Sequence, residues 1–149
     1  MNKSAIDKVP ALRGEFSLII RDKSGNIIEK FIDKNLIVNV AKTSLAQLAS
    51  NAGPNKWISK IAFGTNGTSP DVGDTAITNS FLKSFTGVTY PEFNSVAFGW
   101  TLDYGDANGL NISEFGLLSN DSTLFARKTR TPITKSSDLQ LQGVWKIVF

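Results

Sequence analysis

The chain of 149 residues contains no cysteine and no histidine. Without these residues it has no disulfides, no thiolate nucleophile and no imidazole base, and it lacks the usual ligands of zinc and iron. An enzyme with this sequence would have to use carboxylates, Lys, Tyr or Ser alone. We therefore predict a non-enzymatic protein that holds no cofactor and no metal. A hydrolase that works with carboxylates ranks third among the functions considered below.

Long apolar runs and a strong net charge are also missing. No apolar run approaches the roughly 18 residues of a membrane-spanning helix, so we expect no contact with a membrane. The first residues are interrupted by charges and a proline, which is not the pattern of a signal peptide. A net charge of +3 is too small to indicate nucleic acid binding by itself. With 41% hydrophobic residues, the composition is typical of a globular protein.

The chain divides into a short polar segment and one domain. Residues 1–13 contain a proline and show no sustained hydrophobic period, and we predict that they form a flexible N-terminal arm. Residues 14–149 are predicted to form a single β-sandwich domain, because a chain of 149 residues is typically one domain.

Alternating polar and apolar residues predict strands through most of that domain. Phe16, Leu18 and Ile20 share one face of a first strand, and the turn DKSGN joins it to a second strand that begins at Ile27. Further strands are predicted in WISKIAF, NSVAFGWTLDY, NISEFGLLS, TLFARKT and LQLQGVWKIVF. The segment GDTAITNSFLKSF fits either a helix or a strand. We favour a strand that includes Phe81 and continues through Val88 and Thr89, because Thr and Phe dominate the segment.

One helix is predicted, near residues 40–51. In NVAKTSLAQLASNAGP, four apolar residues recur at helical spacing, Asn39 is placed as an N-cap, and Gly53 followed by Pro54 ends the run. With about seven or eight strands, this pattern predicts an all-β fold, mainly an antiparallel β-sandwich, with one short α-helix.

The glycine-rich stretch IAFGTNGTSPDVGDTAI could cradle a phosphate or simply turn the chain. A phosphate-binding P-loop requires a lysine after its last glycine, yet no Lys or Arg lies between Phe63 and Ile77. A dinucleotide fingerprint would require three glycines that open a helix within a βαβ unit. We predict a long connector that crosses from one sheet to the other.

A second loop, DYGDANGLNISE, resembles a calcium-binding loop only in part. If Gly109 takes the sixth position, Tyr104 and Phe115 occupy the first and twelfth positions, where oxygen ligands are needed. If the loop starts at Asp103, the twelfth position is Glu114 but the intermediate oxygens are lost. A hairpin loop accounts for these residues better.

The most basic segment of the chain is ARKTRTPITK. On a strand, Lys128 and Arg130 would share a face, with Arg127 opposite them. Such charges often protect a sheet edge from unwanted pairing. The functional alternative is a docking surface for an acidic partner, a polyanionic glycan or nucleic acid. Nucleic acid is disfavoured because Phe125 is the only aromatic residue there. We take as candidate docking residues Arg127, Lys128, Arg130 and Lys135.

Over residues 35–149, the order of these elements resembles bacteriophage tail-fibre and tail-collar attachment proteins. The similar features are a helix, a strand and turn of the form I-x-x-I-A-x-G-x-x-G, a T-x-P…D-T loop and a strand like I-x-E-x-G-L. They are followed by three further patterns: L-x-A-R, P-I-x-K and a closing strand of the form W-x-I-x-F. The turn at residues 120–122 departs from the pattern, because it lacks the glycine often found there. The initial hairpin is not part of the pattern.

The resemblance implies a non-enzymatic virion structural protein that is assembled in the host cytoplasm. It would be an adaptor or attachment component that joins a fibre or spike to tail, baseplate or head. Its partners would be other virion proteins and further copies of itself, with a trimer favoured. The alternative function is a small carbohydrate-binding β-sandwich module, in which exposed Trp or Tyr side chains stack on sugar. A monomer with an open aromatic groove would favour that alternative, and a tight oligomer the virion protein.

Overall fold

The computed structural model describes residues 12–149, so the first eleven residues of the predicted N-terminal arm lie outside the described part of the chain. Arg13, which the sequence assigns to the arm, begins the first strand. The described residues form β1 (Arg13–Arg21), β2 (Ile27–Ile37), α1 (Asn39–Ala49), β3 (Ile58–Gly64), β4 (Phe81–Ser84), β5 (Gly87–Thr89), β6 (Ser95–Leu102), β7 (Asn111–Ser119), β8 (Leu124–Thr134) and β9 (Gln140–Val148).

The nine strands form a curled antiparallel sheet in the order β4-β3-β7-β8-β2-β1-β9-β6-β5. β2 pairs with β1 along its length, but with β8 only at Leu36–Arg127 and Ile37–Ala126. Beyond those two pairs, β2 and β8 lie in different halves of the structure. The sheet therefore folds over at β2 into two layers, which confirms the predicted all-β fold with a single short helix in the described residues.

The chain crosses between the layers at a different place from the one predicted. The glycine-rich connection, residues 65–80, joins β3 to β4, and these strands are direct neighbours with Phe63 opposite Phe81. The crossing occurs at residues 85–86, because β4 pairs with β3 while β5 pairs with β6 at the opposite end of the sheet. The single strand predicted across residues 81–89 is therefore two strands, which brings the total to nine.

Helix α1 is shorter than predicted and begins differently. Asn39 is its first residue, and the N-cap is Val38, whose side chain makes no capping hydrogen bond. The predicted cap at Asn39 is wrong because Asn39 already belongs to the helix and the extended residue before it is Val38. The Asn39 backbone N–H donates to the Val72 carbonyl, 2.8 Å away, in the glycine-rich connection. Among the described residues, no helix is long and apolar enough to cross a membrane.

Aromatic rings from both layers fill the space between them. Phe16 of β1 is fully buried, and its ring centroid lies 4.8 Å from that of Phe115 in the other layer. The Trp145 ring lies 5.0 Å from Phe16 and the Trp100 ring 5.9 Å from it. The rings of Phe16, Trp100 and Trp145 come from the inward faces that the alternation in β1, β6 and β9 predicts.

The turn between β7 and β8, at residues 120–122, forms without the glycine that is often found at this position in the resembling proteins. Ser122 has a φ angle of +70°, the left-handed region where glycine is favoured. The Asp121 carboxylate accepts the Thr123 N–H at 3.1 Å and forms an ion pair with Lys56. These contacts hold the turn although Ser122 is strained.

We expect Ser122→Gly to raise the free energy of unfolding by about 0.5 kcal/mol, because glycine relieves the left-handed strain but has more freedom in the unfolded chain. Urea unfolding followed by tryptophan fluorescence would measure the change. The matched control is Ser24→Gly in the β1–β2 turn, since Ser24 has no positive φ; it should be neutral or destabilising. A less stable S122G protein would contradict this account of the turn.

The same turn predicts a pH dependence. The hydrogen bonds from Lys56 and Thr123 lower the pKa of Asp121 from 3.8 to about 2. Because the folded pKa lies below the unfolded one, the carboxylate stabilises the fold fully above about pH 4, and this contribution is lost as the pH falls towards 2. Carboxyl carbon shifts in an NMR titration should show the low midpoint, and Lys56→Met should move it upward. Asp33, whose carboxylate pairs with Lys128, should titrate unchanged in that variant; a midpoint of Asp121 that K56M leaves in place would refute the assignment.

Candidate functional site

The basic segment predicted to dock other subunits lies in β8 and just after it. As the alternation predicts, Lys128 and Arg130 share one face of β8 and point towards β2, while Arg127 lies on the opposite face. Lys135 follows the end of the strand. The four cations therefore do not form one surface.

Arg127 is the centre of a buried ion network. Its side chain is 2% exposed, its Nε donates to Glu114 Oε2 at 2.7 Å, and one terminal nitrogen donates to Asp74 Oδ2 at 2.9 Å. The other terminal nitrogen donates to the Asn66 carbonyl at 2.9 Å. The Glu114 side chain is completely buried. Each of the three guanidinium nitrogens of Arg127 donates to an oxygen, and two of these oxygens belong to carboxylates. The charge of Arg127 is therefore compensated inside the protein.

The same network fixes the glycine-rich connection. Glu114 Oε1 accepts the backbone N–H groups of Thr78 at 2.7 Å and Asn66 at 3.2 Å, one from each end of the connection. Gly64 is needed where the loop begins, because a Cβ there would lie 2.6 Å from Glu114 Oε1 and 2.7 Å from the Thr78 carbonyl. Gly64 thus serves close packing against a carboxylate, and a negative charge at this place would repel a phosphate.

Lys135 occupies the loop that resembles a calcium site. It is 1% exposed, and its ammonium donates to Asn108 Oδ1 and the Ser136 carbonyl at 3.0 Å and to the Tyr104 carbonyl at 3.4 Å. Burial lowers the pKa of Lys135, while Asp106 and Asp103 favour its charged form. Oxygens of the loop thus surround a lysine ammonium. Within residues 12–149, no three Asp or Glu side chains come together as metal ligands would.

Lys128 and Arg130 bridge the open side between β8 and β2. Lys128 forms an ion pair with Asp33, and Arg130 forms one with Glu29 at 2.9 Å. Both cations lie over the Phe31 ring, 5.6 Å and 5.0 Å from its centroid. The hydrogen bond from Lys128 lowers the pKa of Asp33. These pairs join the edges of the two layers where backbone pairing stops.

Of the four residues predicted to dock another subunit, only two remain candidates. Arg127 and Lys135 are buried and their charges are satisfied internally, so neither presents a charge to another subunit. Sequence could not show this, because a buried arginine and an exposed one look alike in a basic run. Lys128 and Arg130 keep partly exposed carboxylate partners, and docking through these two residues stays a prediction.

A second surface feature is an aromatic patch, which we define as Tyr90, Phe93 and Phe149. Phe93 is fully exposed and Tyr90 is 78% exposed. The patch lies beside the β5–β6 turn, where the Phe149 N–H donates to the Asn94 carbonyl at 2.8 Å. Two of the three tryptophans, Trp100 and Trp145, are instead buried in the core. Exposed aromatic side chains of this kind are enriched in binding surfaces.

Sequence reasoning did not identify Asp74 and Asn66 as partners of Arg127, and it weighed Glu114 as a calcium ligand and as part of the I-x-E-x-G-L strand. The signal that could have indicated them was the pairing of a glutamate and an arginine within two adjacent apolar strands, ISEFGLL and LFAR. Charges in such strands require partners.

Comparisons with protein-family models, with curated proteins and with solved structures find no match to this chain.

Proposed function

We propose that this protein is a non-enzymatic structural component of a bacteriophage virion. It acts as an adaptor or attachment protein that joins a fibre or spike to tail, baseplate or head. In this role it functions by packing against other virion proteins and against further copies of itself, most simply as a trimer.

The observation that supports the proposal is the place of the resembling segments in the fold. The strand-and-turn motif contributes Asn66, the T-x-P…D-T loop Asp74, the I-x-E-x-G-L strand Glu114 and the L-x-A-R strand Arg127. These segments are far apart in sequence, yet their polar residues meet in one buried network. The resembling segments therefore form one structural unit, which buried ion pairs hold together.

A genetic experiment tests this function. In a phage genome that encodes the chain, interruption of its reading frame should give particles that package DNA but lack a fibre or spike and do not adsorb. Electron microscopy and an adsorption assay would show this, and supplying the intact protein during assembly should restore both. Complete, infective particles without the protein would refute the proposal.

The aromatic patch favours one alternative, a carbohydrate-binding module. Tyr90 and Phe93 are exposed enough to stack on sugar rings. Titration with a glycan library would distinguish the two functions: a monomer whose Tyr90→Ala variant loses glycan binding would support the carbohydrate-binding module.

A further inference from the structure

The outward side of β1, β2, β9 and β6 carries a surface that the basic run did not indicate. Pairing places Ser17 opposite both Ile32 and Val144, and Gly99 opposite Val144. Phe16 and Leu18 point inward, so Ser17, which lies between them, points outward together with the residues paired to it. Residues two positions away along each strand point outward as well. We call this surface the basic face. Its positive residues are Arg13, Arg21, Lys30, Lys34 and Lys146.

Most of that positive charge has no partner within the described part of the chain. Lys146 pairs with Glu92 at 2.9 Å and lies 3.9 Å from Glu15. Among residues 12–149, no carboxylate lies within 4 Å of the charged groups of the other four cations of the basic face. Arg21 donates to the Gly25 carbonyl at 3.1 Å, which is a neutral partner. By contrast, three of the cations predicted from the sequence, Arg127, Lys128 and Arg130, pair with carboxylates. The basic face therefore gathers four cations that have no carboxylate partner among the described residues.

The centre of the basic face is apolar and concave. Ile32 is 80% exposed and Val144 42% exposed, and both line a groove of about 620 Å³. The groove exists because Ser17 and Gly99, which lie beside Val144 in the sheet, have small side chains. Ile32 stands between Lys30 and Lys34 on the same strand face. An apolar centre with a charged rim is the usual arrangement of a protein interface.

We propose that the basic face docks an acidic protein segment, which places an apolar side chain in the groove and carboxylates against Lys30 and Lys34. Unpaired positive charge selects an acidic partner. A second copy docked face to face would bring like charges together. Single-stranded nucleic acid would be expected to meet aromatic stacking platforms, and the outward positions of these strands carry none. The inference deepens the proposed function, on which it rests for the partner being another virion protein.

The docking can be measured on the isolated protein. The probe is a fluorescent random copolymer of Glu and Tyr, with poly-Glu, heparin and oligo-dT as comparison ligands. We expect the Glu–Tyr copolymer to bind more tightly than poly-Glu, and binding to weaken as salt rises. Amide shifts in NMR spectra should change at the outward residues of β1, β2 and β9.

Two variants and one control locate the interaction. Lys30→Gln with Lys34→Gln should reduce the affinity for the Glu–Tyr copolymer about tenfold at low salt. Ile32→Ser should reduce it severalfold without changing the salt dependence. The control, Lys42→Gln with Lys60→Gln, removes the same charge from the helix and from β3 and should bind like the parent. All variants should show the parent's urea midpoint, because the substituted side chains are exposed or partly exposed.

Several results would overturn the inference. These are equal loss of binding in K30Q/K34Q and the control, no effect of either variant, or tighter binding of heparin or oligo-dT than of the Glu–Tyr copolymer. The assay uses no particles, so its failure is separate from that of the proposed function. Loss of docking affinity in K30Q/K34Q would stand even if interruption of the reading frame left the particle intact.

Discussion

Arg127→Met should lower the free energy of unfolding by about 3–5 kcal/mol, because it leaves the completely buried Glu114 carboxylate without its cation. It should also release the glycine-rich connection, since Arg127 binds both Asp74 and the Asn66 carbonyl. Urea unfolding would measure the first effect. Faster amide hydrogen exchange across residues 65–78 would show the second.

Two further variants make that prediction specific to the buried network. Lys128→Met removes an ion pair whose carboxylate side chain is 53% exposed, and it should cost less than about 1 kcal/mol. Replacing Glu114 and Arg127 together by methionine should be less damaging than R127M alone, because the carboxylate that then lacks its cation is Asp74, which is 27% exposed, and no completely buried charge is left unpaired. Equal losses in R127M and K128M would contradict the account.

Phe16→Ala should destabilise the protein by about 3–5 kcal/mol. Phe16 is fully buried and contacts aromatic rings from both layers, so its removal leaves a cavity between them. Thermal and urea unfolding would measure the loss. The control is Phe93→Ala, since Phe93 is fully exposed; it should change stability by no more than about 0.5 kcal/mol. A small effect of F16A would show that the layers do not depend on these rings.

The inward faces of the strands could be predicted from the sequence, because the alternation of polar and apolar residues is a local property. The inward row that includes Phe16 and Leu18, and the turn at Gly25 with its φ of +85°, follow from residues that are neighbours in the chain. The place where the chain crosses between the layers, residues 85–86, could not be predicted from neighbouring residues. It depends on which distant strands pair with β4 and β5, and the sequence of residues 81–89 is compatible with one continuous strand.

The candidate site was predicted less well for a similar reason. Charge density along the chain indicated residues 127–135, but whether a cation is available depends on carboxylates brought in by other segments. Glu114 and Asp74 reach Arg127 only through the fold. Lys30 and Lys34 appeared unremarkable in sequence because acidic residues surround them, and the strand directs those acids elsewhere: Asp33 and Glu29 pair with β8.

The central claim, that the protein is a fixed structural part of a virion, is tested most directly by its copy number in particles. Quantitative mass spectrometry of gradient-purified phage that encode this chain should find it at a constant number per particle. That number should be a multiple of three if it assembles as a trimer, and it should resist washing in high salt. Absence of the protein from purified particles, with all of it left in the lysate, would contradict the claim.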